Sequence, residues 1–134
     1  MWSICSKLFQ TLCTALLTTF PIVAFAGNDI PTITVHELMA KIDRKEPFVL
    51  VDVRESHELA ISQIPGHKLI PLGELPGRLN ELNPKDEIIL VCRTGNRGVR
   101  ALQILQKAGF KHVFNLQGGI NAWVDQIEKS LPKY

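Results

Sequence analysis

Apolar residues in this chain alternate between two patterns. Short, nearly continuous runs are separated by stretches in which apolar positions recur every three or four residues. Among the runs, Phe48-Val49-Leu50-Val51-Asp52-Val53 and Ile88-Ile89-Leu90-Val91 are apolar on both faces. That pattern predicts strands covered on both sides, as in a parallel sheet between helices. The second of these strands is expected over Glu87–Cys92. Shorter runs at Ile30–Ile33, Leu69-Ile70 and His112–Leu116 predict further strands, the first at a sheet edge. Helical spacing begins after Thr34-Val35-His36-Glu37, which has the form of a capping box, and continues through Val35, Leu38, Met39 and Ile42. A short helix is expected over Ser56–Ile61. Another is expected on Leu75, Leu79 and Leu82, ended by Pro84. Arg97–Ala108 is amphipathic, with Gly109 as its C-cap, and Gly119–Lys129 carries Ile120, Trp123, Val124 and Ile127. Strands alternating with helices predict an α/β domain with a mostly parallel sheet.

One apolar run has a different character. From Leu8 to Gly27 no side chain is charged, Lys7 precedes the run, and Ala24-Phe25-Ala26 ends it with small residues at its first and third positions. A basic start, an apolar centre and an A-x-A ending are the marks of a secretory signal peptide. The expected organisation is a signal peptide at 1–26 and one domain at 27–134, exported to a compartment such as the periplasm. The alternative, an uncleaved anchor, would bring the chain into contact with a membrane. Gln10, Thr11, Thr14, Thr18 and Thr19 within the run weaken it as a permanent span.

The chain has 134 residues, enough for one domain, and a formal net charge of +2. Removal of residues 1–26 takes Lys7 and leaves 14 basic against 13 acidic residues, a net charge of +1. That balance excludes a disordered polyelectrolyte and argues against a nucleic-acid binder. The cysteines are Cys5, Cys13 and Cys92, and the first two lie inside the expected leader. A single remaining thiol can form no intramolecular disulfide. No second thiol or spaced histidine pair accompanies Cys92, so metal ligation is disfavoured.

Cys92 stands where the strand Ile88–Val91 gives way to Arg93-Thr94-Gly95-Asn96-Arg97-Gly98 and a helix. Ligands of open α/β sheets bind beyond the carboxyl ends of strands. The thiolate is the reactive form of cysteine. Backbone N–H groups curling around the sulfur, the positive end of the following helix, Arg93 and Arg97 would all favour that anion. Gly95 and Gly98 allow backbone conformations that let successive amides face inward. The expected result is a thiolate in an anion-binding cradle rather than a buried cysteine acting as a small hydrophobe. No G-x-x-x-x-G-K-[ST] nucleotide loop occurs.

Cys92-Arg93-Thr94-Gly95-Asn96-Arg97 resembles the active-site loop of rhodanese-like sulfurtransferases. Three more segments are similar to that family's signatures: Val51-Asp52-Val53-Arg54-Glu55 with Glu58, then Gln63-Ile64-Pro65-Gly66, then Asn115-Leu116-Gln117-Gly118-Gly119-Ile120 with Trp123. The resemblance runs in order through residues 27–134. It implies a three-layer α/β domain with a five-stranded, mostly parallel sheet flanked by helices. It also implies covalent sulfur transfer with Cys92 as nucleophile. Cys92 would take the outer sulfur of a small anionic donor such as thiosulfate and release sulfite. The resulting persulfide would pass its sulfur to cyanide or a thiol. Arg93 and Arg97 would attract the donor's sulfonate, and the amides of Arg93, Thr94, Gly95, Asn96, Arg97 and Gly98 would hold the transferred sulfur. This chemistry needs neither metal nor organic cofactor. An alternative with the same residues is an exported relay or redox partner that hands the Cys92 persulfide to another protein.

Related dual-specificity phosphatases need a C-x5-R loop. Counting from Cys92 places that arginine at position 98, which is Gly98, whereas Arg97 comes one residue earlier. The shorter loop suits a smaller sulfur electrophile. Ser62-Gln63 and His67 depart from the family's usual Gly-His and Ala. Asp52, Arg54, Glu55 and Glu58 are expected to form structural ion pairs near the site, and Trp123 to be core. His36, His57 and His112 have no readable role, and Lys107, Lys111, Lys129 and Lys133 are expected to face solvent.

Overall fold

A computed structural model describes residues 29–134. The expected leader and its cut site lie outside the described residues. Five strands are present: β1 (Thr32–Ile33), β2 (Val49–Asp52), β3 (Lys68–Leu69), β4 (Ile88–Val91) and β5 (Val113–Leu116). They form one sheet in the order β1-β5-β4-β2-β3. Every pairing is parallel, with Val51 opposite Leu90 and Leu90 opposite Asn115. All carboxyl ends therefore lie along one edge of the sheet, and β4 is central.

Burial explains why the strands read as apolar on both faces. Ile88 and Leu90 pack into one core with Val51, Val53, Leu102 and Leu105. Ile89 and Val91 pack into a second core with Leu38, Leu50, Ile120 and Trp123. Successive strand side chains point to opposite faces, so one four-residue strand feeds both cores. Helix α3 (Asn96–Lys107) supplies the first core, and α1 (Val35–Asp43) and α4 (Gly119–Gln126) supply the second. The three layers expected from the sequence are present, and Trp123 is buried. Helix α1 begins with the expected capping box: Thr34 Oγ1 accepts from the Glu37 amide at 3.2 Å, and the Thr34 amide donates to Glu37 Oε2 at 2.8 Å.

Some elements differ from expectation. The helix expected on Leu75, Leu79 and Leu82 is two 3-10 turns, Leu75–Gly77 and Leu79–Glu81. Pro76 has no amide to donate, and Arg78 between the turns leaves helical geometry at φ −123° and ψ 16°. Leu75 and Leu82 nevertheless reach the core. Helix α2 is a single turn, Ser56–Leu59, shorter than the expected Ser56–Ile61. Strand β3 lies one residue earlier than Leu69-Ile70, and α4 stops at Gln126 rather than Lys129.

Candidate active site

Cys92 directly follows β4 and is 1% exposed. Its Sγ accepts two backbone hydrogen bonds, from the Gly95 amide at 3.0 Å and the Gly98 amide at 3.4 Å. Both donors belong to the start of α3, whose unsatisfied amides carry partial positive charge. The loop can curl this way because Gly95, the N-cap of α3, sits at φ +107°, a conformation costly for a residue with Cβ.

Neighbouring elements hold the loop in that shape. The buried Asn115 of β5 donates from Nδ2 to the Gly95 carbonyl at 3.1 Å. Its side-chain oxygen lies where a Cβ on Gly98 would have to go. Across the loop, α4 presents its first amides: Ile120 donates to the Cys92 carbonyl at 2.8 Å and Asn121 to the Arg93 carbonyl at 3.1 Å. This approach requires glycine at 119, because a Cβ there would overlap the Cys92 and Arg93 backbone. Gly119 thus lets a separate segment of chain pack directly against the Cys92 loop.

The charged residues form one connected network. Arg54 is fully buried and donates to both oxygens of Asp52, with its Nη2 at 2.7 Å from Oδ2, and to the Ser62 carbonyl at 2.9 Å. Burial disfavours its charge, but the bonds to Asp52 outweigh that cost and raise its pKa overall. The Arg54 Nη1 donates to the Tyr134 hydroxyl at 2.9 Å, which in turn donates to Glu58 Oε1 at 2.7 Å. Glu58 also receives both Nη groups of Arg97 at 2.7 Å and the Glu55 amide at 2.9 Å. The Arg97 hydrogen bonds hold the Glu58 carboxyl at about 2, against the opposing effect of burial. The same contact raises the Arg97 pKa, and the nearby Cys92 adds to that rise.

The expected ion pairs are therefore present for Asp52, Arg54 and Glu58, while Glu55 contributes its backbone amide. Arg93 and Arg97 are equivalent anion-attracting groups in the sequence, and the structure separates them. Arg97 is committed to Glu58 through both Nη groups. Arg93 pairs with no carboxylate side chain among the described residues. Its Nε donates to the Tyr134 backbone oxygen at 2.7 Å, and its guanidinium carbon lies 4.9 Å from the centre of the Tyr134 ring. Of the loop amides from Arg93 to Gly98, those of Gly95 and Gly98 reach the Cys92 sulfur itself. Thr94 and Asn96 are exposed at the rim. The departure at His67 is local: its Nδ1 lies 2.8 Å from the Ile64 carbonyl, so that nitrogen carries the proton. Ser62 uses its backbone carbonyl for Arg54, a role open to any residue. Tyr134 and Asn115 received no role from sequence. Asn115 lay within a recognised segment, whereas nothing in local spacing pointed to Tyr134.

A parallel α/β domain with a cysteine cradled by helix-start amides beyond its central strand defines the class of this protein. Comparison with known proteins specifies it. The rhodanese-like domain family matches residues 34–126. The chain is 40% identical over 102 residues to YrkF of Bacillus subtilis, named for a sulfur-carrier role, covering 76% of this chain and 55% of that protein. YtwF of the same organism, named for a sulfurtransferase role, is 36% identical, covering 71% of this chain and 91% of that protein. Among solved structures, a rhodanese-like domain protein from Staphylococcus aureus superposes with a TM-score of 0.68 at 33% identity, covering 78% of this chain and 99% of that one. The human single-domain sulfurtransferase TSTD1 superposes with a TM-score of 0.64 at 27% identity, covering 73% and 98%. The chain belongs to the rhodanese-like domain family. It spans 55% of the length of YrkF and between 23% and 37% of several larger relatives.

Proposed function

We propose that this protein is a sulfurtransferase that carries sulfane sulfur as a persulfide on Cys92. The observation that supports this most is the pair of amides from Gly95 and Gly98 aimed at Sγ. Such donors stabilise negative charge on the sulfur they face. In the first half-reaction the Cys92 thiolate attacks the outer sulfur of thiosulfate. A bond forms between Sγ and that sulfur, the bond to the sulfonate sulfur breaks, and sulfite leaves with the electron pair. In the second, cyanide or a thiolate attacks the outer persulfide sulfur, and Cys92 departs as thiolate. The two glycine amides suit the anion present at the start and end of this cycle. Arg97, neutralised by Glu58, shapes the loop, and Arg93 is left to meet the donor's charge.

A relay reading has its own support in the likeness to YrkF. There the thiol acceptor would belong to another protein, and the same Cys92 chemistry would apply. We further propose, from residues 1–26, that the protein is exported with its leader removed. A start at Met1 on sequencing the exported protein's N-terminus would contradict this.

The function is tested by steady-state turnover of thiosulfate with cyanide. Parallel double-reciprocal lines, abolished in Cys92→Ser, are expected for covalent transfer. Turnover that persists in Cys92→Ser would overturn the proposal. Faster transfer to a protein thiol from the same compartment than to cyanide would select the relay. Cys92-dependent hydrolysis of an aryl phosphate would reinstate the phosphatase alternative.

A further inference from the structure

Tyr134 contacts Arg54, Glu58 and Arg93 at the mouth of the cradle, although it lies 42 positions beyond Cys92 in the chain. Its hydroxyl joins Arg54 to Glu58, and Glu58 holds Arg97. Burial and the bond to Glu58 both raise the phenol pKa, so the hydroxyl remains a donor. The ring face and backbone oxygen of the same residue hold Arg93. Asn121 completes a closed circuit: its amide donates to the Arg93 carbonyl and its Nδ2 to the Tyr134 backbone oxygen at 3.3 Å.

This arrangement fixes Arg93 in a specific way. Only its Nε is used, and both Nη groups lack a hydrogen-bond partner among the described residues. A guanidinium held by its Nε and stacked on an aromatic face presents its two Nη groups as a fork for an anion. Arg97 cannot do this, because its fork is filled by Glu58.

We propose that Tyr134 is the positioning residue that orients Arg93 as the anion-recognising group of the site. The ring and backbone oxygen set the guanidinium, and the hydroxyl anchors the ring to the Glu58–Arg97 pair. A small oxyanion group, such as the sulfonate of a thiosulfate-type donor, would then meet a preset fork. The proposal rests on the reading that the donor is an anion, but its test does not require sulfur transfer.

The test is alkylation of Cys92 in the full chain by iodoacetate and by iodoacetamide. The two reagents share size and chemistry and differ in charge. Their rate ratio reports anion recognition, with the intrinsic reactivity of the thiolate cancelled. Arg93→Ala sets the floor of the ratio. In Tyr134→Ala the ratio is expected to fall toward that floor, by roughly two- to fivefold, the scale of one partly exposed charge contact. Tyr134→Phe, which keeps ring and backbone, is expected to fall less. Arg93→Ala/Tyr134→Ala is expected to fall no further than Arg93→Ala alone. A wild-type ratio in Tyr134→Ala, or losses that multiply in the double variant, would overturn the proposal. General loosening of the site would change both rates together and leave the ratio in place, which also counts against it. Failure of thiosulfate to load Cys92, with the ratio behaving as expected, would instead remove the proposed function and keep the role of Tyr134.

Discussion

Glu58 and Arg97, 39 residues apart, close a two-point ion pair in which each carboxylate oxygen accepts one Nη group at 2.7 Å. The pair ties the turn after β2 to the helix whose first amides hold Cys92. Removing its charge should therefore disturb the reactive loop from a distance. Glu58→Gln is expected to slow sulfur loading of Cys92 by about tenfold, the scale at which small displacements of reacting groups are felt. Rapid-quench measurement of persulfide formation checks this, and an unchanged rate would count against it.

The same pair makes stability depend on pH. The Glu58 carboxyl is lowered from 4.5 to about 2, chiefly by Arg97. Its folded-state pKa is below its unfolded value, so the unfolded chain binds the proton first. The stabilisation is complete above about pH 4.5 and is lost as pH falls toward about 2. Urea midpoints of wild type and Glu58→Gln should differ near neutrality and converge across that interval. A constant difference down to its lower end would contradict the assignment.

The contact between Gly98 and Asn115 predicts a coupled pair of substitutions. Gly98→Ala places a Cβ into the Asn115 side-chain oxygen and should cost roughly 1–3 kcal/mol by overpacking. Asn115→Ala relieves the overlap but loses the bond to the Gly95 carbonyl. The double variant should be more stable than the sum of the single effects. It should still alkylate slowly at Cys92, because the loop has lost its brace. Denaturant unfolding and alkylation rates report the two halves of this prediction separately.

Arg54 is 0% and Asp52 1% exposed, so removing either partner strands a charge in the interior. Asp52→Ala is expected to cost about 3–5 kcal/mol, the usual cost of breaking a buried ion pair from one side. Loss of less than about 1 kcal/mol in equilibrium unfolding would show that Arg54 finds another partner.

The order of elements was legible because it rests on burial, which leaves a periodic trace. Ile88–Val91 is apolar throughout because it feeds two cores, and the Thr34–Glu37 box marked the start of α1. Leu75, Leu79 and Leu82 show where this fails. Spacing placed their side chains toward the core, but Pro76 and Arg78 decided the backbone, and 3-10 turns present the same leucines. In the site, Cys92 and its two glycines were legible from the strand-to-helix transition and from family resemblance. The division of labour between Arg93 and Arg97 was not, because it depends on Glu58 and Tyr134, which only the fold brings to the loop. Asn115 was hidden for a similar reason: a strand residue shows its period in sequence but not the carbonyl it faces.

The most direct test of the account is the intact mass of the purified protein after incubation with thiosulfate. The wild type should gain one sulfur atom, the gain should be lost on adding cyanide or a thiol, and Cys92→Ser should gain none. No gain in the wild type, or a gain that survives Cys92→Ser, would contradict persulfide chemistry at Cys92.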